Sequence, residues 1–167
     1  MSAFDVVIET PKGSCQKYDY VPHTPFFKLK KILPSGMVFP YDFGFIPNTK
    51  GEDGDPLDVI VISEFISFPG VIITCRIIGG IKAEQSEEKD SKKMIRNDRF
   101  IAIPKFSNIL QDVKDVKDLP KQTMDQLEEF FVDYNKMEGK KFHVLKMMDA
   151  KEAKEQIKEQ VTTDQVS

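Results

Sequence analysis

Between positions 51 and 58 the chain reads Gly51-Glu52-Asp53-Gly54-Asp55-Pro56-Leu57-Asp58, and the apolar run Val59-Ile60-Val61-Ile62 follows at once. Gly54 supplies a permissive backbone and Pro56 a fixed φ, so the stretch is a turn rather than an element interior. It can aim Asp53, Asp55 and Asp58 into one space at the mouth of a strand. Carboxylates held so close repel one another unless something positive sits between them. Hard divalent cations such as Mg2+ suit the need, because they take oxygen ligands, keep several waters and then bind phosphate oxygens. A solvated acidic turn is the plain alternative, since turns favour Asp and Gly anyway. An EF-hand counted from Asp53 does place Glu64 at its twelfth position. It also puts Leu57 at the fifth and Asp58 at the sixth, where Gly is needed, and Pro40, Pro47 and nearby glycines stand where an entering helix belongs.

Around this turn the sequence predicts many short strands. Residues 4–9 read as a strand stopped by Pro11, and residues 17–20 and 26–30 alternate in the same way, separated by Pro22 and Pro25. Runs at 59–62, 71–78 and 99–103 are β-branched and bounded by Gly70, Gly79-Gly80 and Pro104, as buried strands are. The segment from Pro34 to Pro47 is dense in Pro, Gly and aromatics, which predicts an extended stretch lining or underlying a cleft. Residues 82–99 are highly charged and read as a mobile surface loop. Met124, Leu127, Phe130, Phe131 and Tyr134 recur at helical spacing between Pro120 and Gly139, predicting one amphipathic helix. Asp149 and Glu152 resemble a capping box opening a terminal helix that faces Ala150, Ala153 and Ile157 inward. A frayed end is expected from Val161.

The 167 residues fit one domain, 1–167, and 40% hydrophobic content is ordinary for a globular protein. Apolar runs of four or five residues and the start Met1-Ser2-Ala3-Phe4-Asp5 predict neither a membrane span nor a signal peptide, hence a cytoplasmic protein. Cys15 and Cys75, with only His23 and His143 beside them, argue against a zinc site or disulfide framework. A net charge of −3, from 24 Lys and Arg against 27 Asp and Glu, makes nucleic acid a poor partner.

The acidic D-G-D-P-L-D turn, the upstream Lys17-Tyr18, the segment Phe39-Pro40-x-x-Phe43-Gly44 and the late Phe130-Phe131-x-x-Tyr134 together resemble soluble family I inorganic pyrophosphatases. The resemblance runs from about Ile8 to Phe142 in the same order and at comparable spacings. It implies an α+β, mainly β fold: a small OB-like twisted β-barrel with two helices packed outside. It also implies hydrolysis of pyrophosphate to two phosphates by a metal-activated water, with several Mg2+ ions and Mn2+ or Zn2+ as possible substitutes. By position, Asp53 and Asp58 match metal ligands, Asp55 the base that helps deprotonate the attacking water, and Glu9 an acid holding an outer metal. Lys17 and Tyr134 match groups that bind phosphate oxygens. Relatives are commonly hexamers and others dimers, so a homo-oligomer is expected, with the hexamer favoured.

The chain also departs from the family pattern. Lys31 stands at the position of an arginine, trading a planar fork for a point charge. Phe39 and Phe43 replace tyrosines, and Asp19 replaces a glutamate. Asn135 replaces a lysine, with Lys136 one residue on. The family's second acidic cluster has two metal-binding aspartates and then a lysine. Arg99 matches the lysine as a substrate-binding group, Asn97 takes an aspartate position, and Asp98 lies one residue off. The other aspartate aligns with Glu84 or Gln85. Asn97 and Asp98 thus compete as ligands, with Glu84 as partner. The anionic Asp98 is the stronger ligand, provided the preceding loop ends in an irregular turn that lets it face the site. The alternative to the enzyme is a weak or inactive homologue that binds phosphate ligands or serves as an assembly subunit.

Overall fold

Branched apolar side chains pack well on a pleated surface, and the predicted runs fold accordingly. The computed structural model describes residues 3–162. Its strands are β1 (Ala3–Thr10), β2 (Gln16–Tyr20), β3 (Phe27–Ile32), β4 (Asp42–Ile46), β5 (Leu57–Val61), β6 (Ile72–Ser86), β7 (Met94–Arg96), β8 (Arg99–Pro104) and β9 (Phe142–Met148). Helix α1 (Lys121–Met137) begins directly after Pro120, and Gly139 adopts φ 70° just beyond its end. Helix α2 (Ala150–Glu159) is capped by the Asp149 carboxylate, which accepts from the Glu152 N–H at 2.8 Å. The Glu152 side chain instead pairs with Lys82 and Lys146, each at 2.9 Å. Among the described residues no helix is long and apolar enough to cross a membrane.

Strand β1 pairs antiparallel with β4 and with the start of β6; β4 pairs antiparallel with β5, β5 parallel with β8, and β8 antiparallel with β6. This ring of strands is the expected OB-like barrel, and closure leaves those strands no open edge. Strands β7 and β9 extend the sheet along the far half of β6, and β2–β3 forms a separate hairpin. Because side chains alternate along a strand, β5 feeds two cores. Val59 and Val61 pack with Ala153 and Ile157 of α2, while Ile60 and Ile62 pack with Met124, Leu127 and Phe131 of α1. Gly44 lies opposite Ile8, and an added Cβ there would run into the Val7 carbonyl.

Strand β6 overturns two expectations. It continues through Gly79-Gly80, which the sequence marks as a boundary. A register shift between Ile77 and Gly79 absorbs the irregularity, and a Cβ on Gly79 or Gly80 would fall 2.7 Å from Met148 atoms. Nor is the charged stretch 82–99 a loop throughout: residues 82–86 belong to β6 and 94–96 to β7, with Glu84 opposite Arg96 of β7 and His143 of β9. Val161 is not frayed either. It bridges Thr49, and the Thr162 N–H donates to Asn48 O at 2.8 Å; the rest of that tail lies outside the described residues.

Candidate active site

The acidic turn folds as its residues dictate. Gly54 takes φ 87°, its N–H donates to Gly51 O, the Gly51 N–H donates to Asp55 O at 2.8 Å, and the Asp55 N–H donates to Asp53 Oδ1 at 3.0 Å. Thr49 Oγ1 accepts from the Leu57 N–H at 3.0 Å, fixing the entry into β5 and therefore Asp58. The turn opens on a cavity of about 690 Å3 that Asp53, Asp55 and Asp58 line together with Glu9, Lys17, Lys31, Asn97, Arg99 and Tyr134. A second recess of about 20 Å3, between the turn, Arg96, Asp98 and Gln160, has room for little more than a water molecule.

Two bulges aim side chains into the cavity. In β1 the register shifts between Ile8 and Thr10, leaving Glu9 as the extra residue. Its Oε2 accepts from the Tyr20 N–H at 2.7 Å, and Thr10 Oγ1 exchanges hydrogen bonds with Tyr18, so β1 holds the hairpin in place. In the hairpin the shift between Lys17 and Tyr18 sets Lys17 directly opposite Lys31. Like charges facing across a strand pair are destabilising unless anions accompany them. Asp19 lies 3.4 Å from Lys17, and Glu138, just past α1, forms an ion pair with Lys31.

Burial sets the electrostatics. It pushes the Asp58 carboxyl up to about 6, with Asp53 and Asp55 adding to the rise and Arg99 opposing it. Glu9 is pushed up to about 7 by burial, with Asp19 and Asp58 also raising it and the Tyr20 N–H pulling the other way. Asp53 is raised by the same cause. Lys31 is lowered to about 8 by burial and by Lys17 and Lys30. For Lys17, burial works against the charge, but Tyr134, Asp19 and Asp58 outweigh it and its pKa rises. The Tyr134 hydroxyl is enclosed without a well-formed hydrogen bond and its pKa is raised by burial, against the pull of Lys17. Asp58, Glu9, Asp53 and Lys31 therefore each lack a full complement of counter-charge, whereas Lys17 has one.

The second cluster differs from the expectation for Asp98 and Glu84. The Asn97 N–H donates to Ala83 O, which keeps strand alternation running toward Arg99, so Asn97 and Arg99 share the cavity face and Asp98 points away. The Asp98 carboxylate is taken up by Arg96 at 2.7 Å, the Ala83 N–H at 3.0 Å and Gln156 at 2.5 Å. Glu84 stands outside the cavity near His143, at 3.9 Å, while its neighbour Gln85 lines it. Hydrogen bonding orients the Asn97 amide with Nδ2 donating to Asp58 Oδ2 at 3.1 Å and the oxygen accepting from Arg99 Nη1 at 3.3 Å. Arg99 is buried, donates to Gln85 Oε1 at 3.0 Å and to Asn97 O, and lies 4.7 Å from the Phe131 ring centroid.

Aromatic residues wall the site, with Phe39 4.7 Å from Phe43 and Phe130 stacked on Tyr134 at 5.7 Å. Lys136 is exposed and does not line the cavity; Lys140 does, together with Glu138, and both went unread in the sequence. Nothing local marks them, because α1 ends at Met137 and only the tertiary fold carries 138–140 back to the hairpin. As donors, Asp53, Asp55, Asp58 and Glu9 offer oxygen alone, and three of them, Asp53, Asp58 and Glu9, are charges made costly by burial, which fits a hard divalent cation. Among the described residues no three His, Cys, Asp or Glu side chains already stand in ligating geometry.

Comparison with known proteins identifies the family. Residues 6–164 match the family model described as inorganic pyrophosphatase. The chain is 41% identical over 142 residues to the inorganic pyrophosphatase of Leifsonia xyli subsp. xyli, covering 85% of this chain and 83% of that one. It is 39% identical over 158 residues to that of Saccharolobus solfataricus, covering 94% and 89%. The crystal structure of inorganic pyrophosphatase from Thermus thermophilus superposes with a TM-score of 0.87 at 32% identity, covering 95% of this chain and 89% of the other. With matches of this extent in sequence and in fold, the chain belongs to the inorganic pyrophosphatase family.

Proposed function

We infer that the cavity hydrolyses inorganic pyrophosphate to two phosphates, seated between the acidic turn and the Lys17–Lys31 pair. The observation that carries this reading is the placement of three carboxylates from one turn across a single cavity from two opposed lysines, a guanidinium and a buried phenol. The family implies a divalent metal: Asp53 and Asp58, with Glu9 as outer partner, would hold Mg2+, or Mn2+ or Zn2+ in its place, and the ion would neutralise substrate charge and make water more acidic. Asp55, exposed to the cavity, takes the proton of the attacking water. Lys17, Lys31 and Arg99 hold phosphate oxygens, and the Tyr134 hydroxyl donates to the leaving phosphate as its charge grows. Asn97 holds Asp58 and Arg99 in register, a part for which Asp98 and Glu84 are wrongly placed. Phosphate release from pyrophosphate tests the reading: purified protein should release phosphate with Mg2+ and stop when a chelator is added. Absence of release at any metal concentration would refute it.

We also propose a homo-oligomer, the hexamer in preference to the dimer. Ile66, Phe68, Phe106 and Ile109 are each more than three-fifths exposed, and burying them against further subunits would remove apolar surface from water. Light scattering on eluted protein should give a mass near six chains, and a monomer at micromolar concentration would overturn it.

A further inference from the structure

Glu138 is an acid placed where acids are disfavoured. It caps the C-terminal end of α1, where the helix dipole is negative, and it lines a cavity built to receive anions. Its partners explain the placement: one carboxylate oxygen pairs with the Lys31 ammonium, and the other lies 3.7 Å from Lys140. Lys31 itself stands 4.3 Å from the Tyr134 ring centroid and opposite Lys17, so its ammonium is directed at the space where the site has its positive wall. An ammonium donates three hydrogen bonds at most, and those given to Glu138 are unavailable to a phosphate oxygen.

We propose that Glu138 is an internal competitor of the substrate: its carboxylate occupies Lys31 in the free enzyme and must be displaced, or share the ammonium, when a phosphate binds. Glu138 thereby sets the affinity of the site for phosphate anions and stops Lys17 and Lys31 from repelling one another in the empty hairpin. The inference rests on the reading of the cavity as a pyrophosphate site, and it predicts the opposite of a supporting role. If Glu138 only oriented Lys31, its removal would weaken substrate binding; as a competitor, its removal strengthens it.

The test uses Glu138→Gln, which keeps size and hydrogen bonding and removes charge from a helix end that disfavours it. Calorimetric titration with pyrophosphate in the presence of a chelator, where no turnover occurs, should show binding tighter by roughly fivefold, the scale of a half-exposed ion pair. With Mg2+, KM should fall by a similar factor while kcat changes less. The same substitution made in a Lys31→Met background separates competition for Lys31 from a general change in cavity charge. There the gain should shrink to less than about twofold. Unchanged, weaker or undetectable binding in Glu138→Gln, or an equal gain in both backgrounds, overturns the proposal. A parent protein that fails to hydrolyse pyrophosphate counts against the functional reading alone, because the chelator titration still decides the role of Glu138.

Discussion

Asp58→Asn is expected to lower kcat/KM for pyrophosphate by about two to three orders of magnitude, yet to stabilise the metal-free protein at neutral pH. The loss of activity follows from the position of Asp58 at the start of β5, facing the cavity and held by Asn97, where an amide of the same shape brings no charge to a cation. The stability effect follows from linkage. The folded-state pKa, about 6, lies above the ordinary 3.8, so between those values the folded protein binds more protons than the unfolded chain. Stability therefore falls as pH rises across this window and stays reduced above it. Asparagine, neutral throughout, escapes the loss. Thermal melts in chelator at pH 4 and pH 8, beside a Mg2+ titration of turnover, check both halves. Turnover like the parent's at every Mg2+ concentration would remove Asp58 from the metal site. A fall in melting temperature at pH 8 would show that its charge is compensated without metal.

The second large effect concerns folding. Gly44→Ala should cost about 3 kcal/mol or more, because the added methyl group meets the Val7 carbonyl in a barrel wall where neither backbone can withdraw without breaking its neighbour's pairing. The damage should extend to activity, since the β1 bulge that delivers Glu9 begins opposite this glycine. Urea unfolding would register the loss as a lower midpoint at similar slope. A midpoint within the error of the parent's would mean that the two strands do not approach as closely as described.

The parts of this fold that were legible in the sequence are those whose signal is local. Residues 59–62 and 99–103 could only be buried strands, and the helix between Pro120 and Gly139 announced its apolar face and both of its ends. The acidic turn was equally readable, since Gly54 and Pro56 dictate its backbone whatever surrounds it. Features set by distant neighbours were not. Gly79-Gly80 has the composition of a break but serves as the close-packing surface for Val116 and Met148. The charges of residues 82–86 look like loop, yet Ala83 and Ser86 are buried in a strand covered by β9. Choosing between Asn97 and Asp98 needed the backbone bond to Ala83, which fixes the face of each and which no spacing reveals. Glu138 and Lys31 are far apart in the chain, so their pairing had no sequence signal.

Strand β6 is the member that β1, β8, β7 and β9 all join, which ties residues from both ends of the chain to one ribbon. This has a consequence for synthesis on the ribosome. While the chain is being made, the far half of β6 emerges well before β9 does, and until β9 arrives its backbone donors and acceptors from Gly80 to Gln85 face outward, a template for pairing with another nascent chain. One lysine and three glutamates, at positions 82, 84, 87 and 88, lie in and just beyond that interval. Charges so placed discourage edge-to-edge association, a service they render to the unfinished polypeptide before the enzyme exists.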